Sequence, residues 1–243
     1  MTVSVSALQT RALLLDIEGT TTPIAFVYQI LFPFARAHAA AYLQRAGESA
    51  ACRAAIAQLR EERAKESRRS AEGAKAVSPA DILEYVFSLM DRDKKSPGLK
   101  ALQGLIWQDG YKSGELRGQV YPDVPPAFKR WRAGGLDIHI YSSGSVLAQQ
   151  LLFGSTDAGD LSRFLKGYFD TAVGPKTSPD SYRVVSEQIH VAPAEVLFVS
   201  DVVQELDAAR TGGMRTALCV RGADAPPGSG SDPVIRSFDG IVD

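Results

Sequence analysis

The chain has 243 residues, 45% of them hydrophobic and 23% charged, with a formal net charge of −1. That length suits one large domain or a core domain with a smaller insert, and the near-zero charge excludes a basic footprint for nucleic acid or an anionic membrane. The two cysteines, Cys52 and Cys219, exclude a disulfide framework or a thiolate metal site and read as buried free thiols in a reducing compartment.

Met1 to Thr10 lacks the basic start and long apolar run of a secretory signal. No stretch is read as approaching the roughly 18 apolar residues of a membrane helix, so the expectation is a cytoplasmic protein without membrane or nucleic-acid partners. Ala12 to Leu15 is a short apolar run ending in Asp16, with Gly19 and a run of threonines beyond it, and suits a buried parallel strand. From Phe26 to Leu43 the spacing turns helical, and Pro33 marks a kink or a fresh helix start.

Ala50 to Ala76 is alanine-rich and charged from Arg60 to Arg69, which reads as a solvated helix rather than a nucleic-acid patch. Ser78-Pro79-Ala80-Asp81 reads as an N-cap with proline at the first helical position, followed by a helix from Asp81 to Met90. Asp91 to Lys95 with Ser96-Pro97-Gly98 reads as a loop, and Leu99 to Tyr111 as a further helix. The block from Phe26 to Gly118 is therefore all-helical.

The texture changes after Gln119. Val120 to Pro126 reads as a rigid connector, and a helix from Ala127 to Ala133 stops at Gly134-Gly135. Strands follow at Leu136–Tyr141, Tyr168–Val173, Val196–Ser200 and Thr216–Val220. They alternate with helices from Val146, over Ser178–His190 and over Gln204–Thr211. Ala223 to Asp232, rich in Gly, Pro and Ser, reads as a mobile loop. This alternation predicts an α/β fold, a doubly wound parallel sheet with right-handed crossovers, and a helical insertion after its first strand. The expected division is a core of residues 1–25 plus 119–243 and an insertion of residues 26–118.

Three of these strands end in polar clusters: Asp16 with Glu18, Ser142 with Ser143, and Asp201 with Glu205. Strand carboxyl ends line the ligand crevice of an open parallel sheet, so the clusters are expected to converge, with Lys176 joining them. Two carboxylates from separate strands make a hard oxygen site suited to magnesium, and Lys176 would help it neutralise a phosphate dianion. Ser142 can donate to phosphoryl oxygens, an in-line carboxylate can act as nucleophile, and a second carboxyl can protonate the leaving oxygen. Each residue also has a plainer reading. Ser142-Ser143-Gly144-Ser145 is equally a helix N-cap, and Lys176 alone would be a surface lysine. His139 and His190 read as structural, while His38, in the insert, stays open.

Asp16-Ile17-Glu18-Gly19-Thr20 resembles the first motif of the haloacid dehalogenase-like phosphatases, with glutamate in place of the second aspartate. Ser142, Lys176 and Asp201 with Glu205 match the second, third and fourth motifs in order. The runs Asp16–Ile24, Ile140–Val146, Leu151–Gly154 and Tyr168–Asp170 are more closely similar to the enolase-phosphatase (acireductone synthase) family of methionine salvage. The glutamate is that family's own variant, and the similarity reaches Leu102-Gln103-Gly104 and Trp107 in the insert.

The resemblance implies a monomeric, magnesium-dependent enzyme with one Mg2+ per subunit. It would enolise 2,3-diketo-5-methylthiopentyl-1-phosphate and then remove the phosphate through an aspartyl-phosphate; the alternative is a phosphatase of another small phosphate ester. Asp16 would be nucleophile and metal ligand. Glu18 would offer its carbonyl to the metal and its side chain as acid and base. Ser142 and Ser143 would hold the substrate, Lys176 the phosphate and Asp201 the metal, with Glu205 supporting the metal shell. The insert is expected to act as a cap that excludes water. The base for enolisation stays open between Glu18 and a residue of that cap.

Overall fold

A computed structural model describes residues 2–46, 49–69, 79–94, 96–222 and 232–242. The expected cap at Ser78, the helix end towards Ala76 and the loop from 223 to 231 lie outside the described residues. The chain divides into two compact units, Met1–Val27 with Arg117–Asp243, and Tyr28–Leu116.

In chain order the first elements are β1 (Val3–Ser4), β2 (Ala12–Leu15), the short α1 (Ile24–Phe26) and a π-helical turn (Val27–Leu31). Then come α2 (Phe32–Ala46), α3 (Ala50–Arg69), α4 (Pro79–Asp91) and α5 (Pro97–Ser113). The chain continues through α6 (Val124–Ala133), β3 (Asp137–Tyr141), α7 (Val146–Gly154), β4 (Gly167–Phe169) and α8 (Pro179–Ile189). It ends with β5 (Val196–Ser200), α9 (Val203–Thr211), β6 (Arg215–Cys219), β7 (Val234–Ile235) and β8 (Ile241–Val242).

The first unit is built on a parallel sheet in the order β4-β3-β2-β5-β6-β7, while β1 pairs with β8. Every residue of β2 and β5 is buried, which explains their unbroken apolar runs: a strand covered on both faces has no solvent side on which to alternate. Leu14, Tyr141, Tyr182, Phe198, Leu206 and Leu218 belong to one core cluster between the sheet and its helices.

In the Tyr28–Leu116 unit, α3 and α2 pack on α5. Cys52, Ala55 and Leu59 form the buried side of α3. The charged run, expected as a solvated face, is solvated only in part: half-buried Glu62 accepts the Ser96 O–H and the Gly98 N–H, Arg63 donates to the Asp81 carbonyl, and Glu66 accepts the Tyr85 O–H. The Trp107 Nε1–H donates to the Leu31 carbonyl at 2.8 Å. Pro33 is the second residue of α2 and cannot donate to the preceding turn, and that turn is the widened π segment.

Four further expectations are corrected. Pro125 and Pro126 lie in the first turn of α6, where missing N–H groups cost nothing because no intrahelical acceptor exists for them. Ser96 is the N-cap of α5, its Oγ accepting the Leu99 N–H at 3.0 Å, so Pro97-Gly98 is helix rather than loop. The strand expected to reach Val173 stops at Phe169, because Asp170 turns to accept the N–H groups of Ala172 at 2.8 Å and Val146 at 3.2 Å. The run Ile24–Arg45 does reach the length and mean hydropathy, 1.2, of a membrane span. It contains Pro33 and Arg36, and Leu31, Ala35, Ala39 and Tyr42 are buried, the pattern of a helix with one packed side. Cys52 and Cys219 are free and buried, as expected.

Candidate active site

The sheet order reverses between β2 and β5: from β2 the chain builds outward through β3 and β4, and from β5 outward through β6 and β7. Loops leave in opposite directions at such a switch point and open a crevice beyond the strand ends. Asp16 follows β2 and Asp201 follows β5, so the sequence delivers one carboxylate to each side of it.

Asp16 is 5% exposed. Its Oδ1 accepts from its own neighbour, the Ile17 N–H, at 2.8 Å and from Lys176 Nζ at 2.6 Å, and Oδ2 lies 3.3 Å from Ser200 Oγ. Lys176 also pairs with Glu205 Oε2 at 2.6 Å, and Ser200 Oγ meets the same oxygen at 3.0 Å. Burial works against the Lys176 charge, but Asp16 and Glu205 outweigh it and hold the ammonium above its ordinary range. Glu205 is raised by burial and by Asp16, against the opposing pull of Lys176.

The turn after Asp16 is tight. The N–H groups of Thr20, Thr21 and Thr22 all donate to the Ile17 carbonyl, and the Thr21 hydroxyl donates to the Asp16 carbonyl at 3.0 Å. Gly19 has φ +71°, and a Cβ there would lie 2.1 Å from Asp201 Oδ2. Only glycine lets the main chain of this turn come so close to the second carboxylate. Asp201 is pushed up to about 7, first by burial and then by the Asp16 charge.

Asp16, Asp201 and Glu205 thus lie close together, buried or half-buried, and among the described residues Lys176 is the one cation that ion-pairs with them. This excess of hard oxygen donors suits a divalent cation. Among the described residues no group of three or more His, Cys, Asp or Glu side chains is arranged as a metal cage. Two carboxylates completed by the Glu18 carbonyl and waters would be compatible with that, and magnesium characteristically keeps several waters.

Ser142 follows β3 and is 3% exposed. Its Oγ accepts the Gly144 N–H at 3.2 Å, which leaves its proton to give, and it makes no hydrogen bond to Asp16 among the described residues. The N-cap of α7 is Ser145, whose Oγ accepts from the Ala148 N–H at 3.3 Å. The cap of α7 is therefore Ser145 and not Ser142, whose hydroxyl proton is not used in capping. Glu18 is half-buried in a bridge with Thr22, and Ser143 is half-buried beside Ser142. His139 is buried in β3, His190 is the left-handed C-cap of α8, and His38 Nδ1 lies 2.9 Å from the Phe34 carbonyl.

Ser200 was not among the sequence candidates, though its place at the end of a strand beside Asp201 was a usable signal. Arg221 and Asp123 gave no signal at all. Arg221 donates through Nε at 2.9 Å and Nη2 at 2.7 Å to the Thr20 carbonyl and through Nη1 at 2.7 Å to Asp123 Oδ2. It thereby ties down the turn that follows Asp16.

A family model for haloacid dehalogenase-like hydrolases matches residues 10–213. Enolase-phosphatase E1 of Synechococcus elongatus is 50% identical over 227 residues, 93% of this chain and 95% of that protein. Enolase-phosphatase E1 of Klebsiella pneumoniae is 46% identical over 231 residues, 95% of this chain and 96% of that protein. The crystal structure of UTR4 from Saccharomyces cerevisiae superposes with a TM-score of 0.77 at 33% identity, covering 95% of this chain and 99% of that one. L-2-haloacid dehalogenase from Xanthobacter autotrophicus superposes at 0.52 with 19% identity, covering 94% and 95%, which shows the shared fold alone. The strand-end carboxylates and the near full-length likeness lead to one conclusion: the chain belongs to the enolase-phosphatase E1 family of haloacid dehalogenase-like hydrolases.

Proposed function

We propose that this phosphatase acts in methionine salvage on 2,3-diketo-5-methylthiopentyl-1-phosphate. It would first enolise the diketone and then transfer the phosphoryl group to Asp16 and on to water, leaving the acireductone. The observation that carries the reading is the Asp16 carboxylate itself. It is buried at the sheet's switch point, oriented by the Ile17 N–H and by Lys176, on a chain half identical to an enolase-phosphatase.

Asp16, the Glu18 carbonyl and Asp201 would hold magnesium, which neutralises phosphate charge when bound. An Asp16 oxygen attacks phosphorus and the ester P–O bond breaks. The Glu18 carboxyl gives its proton to the leaving oxygen, then takes one from the water that hydrolyses the acyl-phosphate. Lys176 offsets the charge on the phosphoryl oxygens, and Ser142 and Ser143 hold the substrate. Glu205, with Ser200, keeps Lys176 in place. We assign to Tyr28–Leu116 the role of a cap that selects the substrate.

The test supplies the diketo phosphate with magnesium and follows enol and acireductone by ultraviolet absorbance, alongside released phosphate. Both signals are expected. Phosphate release without any enol product would reduce the enzyme to a phosphatase of another ester.

A further inference from the structure

The loop that delivers Lys176 has little regular structure of its own. It runs from the end of β4 at Phe169 to the start of α8 at Pro179, and its centre is Gly174-Pro175-Lys176. Pro175 has no N–H to donate, and Gly174 has φ +128°, a conformation side chains rarely adopt. Yet its three consecutive carbonyls are each gripped by a side-chain hydroxyl. Tyr141 donates to Gly174 at 2.9 Å, Ser181 to Pro175 at 2.8 Å and Tyr182 to Lys176 at 2.7 Å. Tyr141 is the last residue of β3, directly before Ser142, and the other two stand in the first turn of α8.

The rings extend the same support. Tyr141 and Tyr182 meet edge to face at 5.6 Å, and Tyr182 meets Phe198 of β5 at 5.0 Å. The Lys176 ammonium lies 5.7 Å from the Tyr141 ring centre and 6.0 Å from that of Phe198. A Cβ on Gly174 would lie 2.3 Å from Ser181 Oγ, so the grip also requires that glycine. A lysine has a long flexible stem, and holding its ammonium between two carboxylates is entropically costly unless the root of the stem is fixed.

We propose that Tyr141, Ser181 and Tyr182 are positioning residues for Lys176: their hydroxyls clamp the Gly174, Pro175 and Lys176 carbonyls and so set where the ammonium meets the substrate's phosphate. The inference rests on the reading of Lys176 as the phosphate-binding cation and deepens it. A purely structural role would have the hydroxyls satisfy loop carbonyls and nothing more.

The experiment is a double-mutant cycle, with inorganic phosphate titrated calorimetrically in the presence of magnesium. The proteins are the wild type, Tyr182→Phe, Lys176→Ala and the double variant, with melting temperature as the folding control. Tyr182→Phe is expected to weaken phosphate binding by about three- to tenfold, the worth of one hydrogen bond. It should weaken it no further once Lys176 is gone. The clamp is overturned if Tyr182→Phe lowers only the melting temperature, or weakens phosphate equally with and without Lys176. Lys176→Ala with wild-type phosphate affinity would sink the phosphate reading and the clamp with it. Lys176→Ala weakened beside a silent Tyr182→Phe would sink the clamp alone. If Tyr182→Phe does not fold, Tyr141→Phe takes its place in the same cycle, with the same outcomes.

Discussion

Two buried charge clusters in the α/β unit are built on opposite principles. Around Asp123, one guanidinium meets one carboxylate and each guanidinium nitrogen has a target: Arg221 serves the Thr20 carbonyl and Asp123, and Asp123 also accepts the Phe238 N–H at 2.5 Å. The Tyr121 and Phe238 rings cover the guanidinium at 4.2 and 4.8 Å. Around Asp16, three carboxylates share one ammonium, and two of them are held above the ordinary carboxylate range. The first cluster is complete as it stands. The second has more carboxylate than ammonium, which is what the proposed binding of magnesium and phosphate requires.

The largest expected effect breaks the unbalanced cluster at its centre. Asp16→Asn should lower phosphate release by about 1000-fold or more, because the nucleophile is gone while the shape is kept. Phosphate assayed against a folded variant checks this, and turnover within tenfold of wild type would remove Asp16 as nucleophile. The balanced cluster should answer in stability instead. Arg221→Met strands Asp123 in a buried place and should cost about 4 kcal/mol of unfolding free energy. Because Arg221 also ties down the turn after Asp16, the variant's magnesium activation constant should rise by no more than about threefold in the fraction that folds, far less than the loss from Asp16→Asn. Denaturant unfolding and a magnesium titration together test that split, and wild-type stability would show that Asp123 is not stranded.

A third buried titratable group tells a neutral case from both charged ones. His139 is 5% exposed, and burial lowers its pKa to about 4, against a weaker opposing pull from Asp137. The folded state therefore prefers the neutral ring. Its contribution is fully present above the unfolded value near 6.5 and is lost as pH falls towards 4, amounting to about 3 kcal/mol. His139→Phe should flatten the stability curve over that window, as measured by urea unfolding at pH 7 and pH 4. The same acid dependence in variant and wild type would show that the ring is not the cause.

The same contrast explains what was legible in the sequence. Asp16 and Asp201 could be found because each ends an apolar run, and the burial of β2 and β5 on both faces is what makes those runs continuous. Lys176 could be placed only by its order among motifs, since its ion pair with Asp16 closes over a separation of 160 residues. Arg221 and Asp123, 98 residues apart, carry no local pattern. Nor do the hydroxyls on the Lys176 loop, because a tyrosine in a core strand looks the same whether or not its oxygen has work to do. Strands of two residues, such as β7 and the β1–β8 pair, are too short to show any period.

The smallest expected effect has the most informative sign. Asp201→Asn keeps the shape that packs against Gly19 but removes a carboxylate that burial and Asp16 both disfavour. In metal-free protein it should therefore be stabilising, by about 1 kcal/mol, since relieving an unbalanced buried charge returns part of its desolvation cost. With magnesium present the order should reverse, because the wild type gains stability from the ion and the variant gains less. Melting temperatures of both proteins with and without magnesium give the four values needed. A variant less stable than wild type in both conditions would mean that Asp201 is a satisfied structural carboxylate like Asp123, and the distinction between the two clusters would fail at this residue.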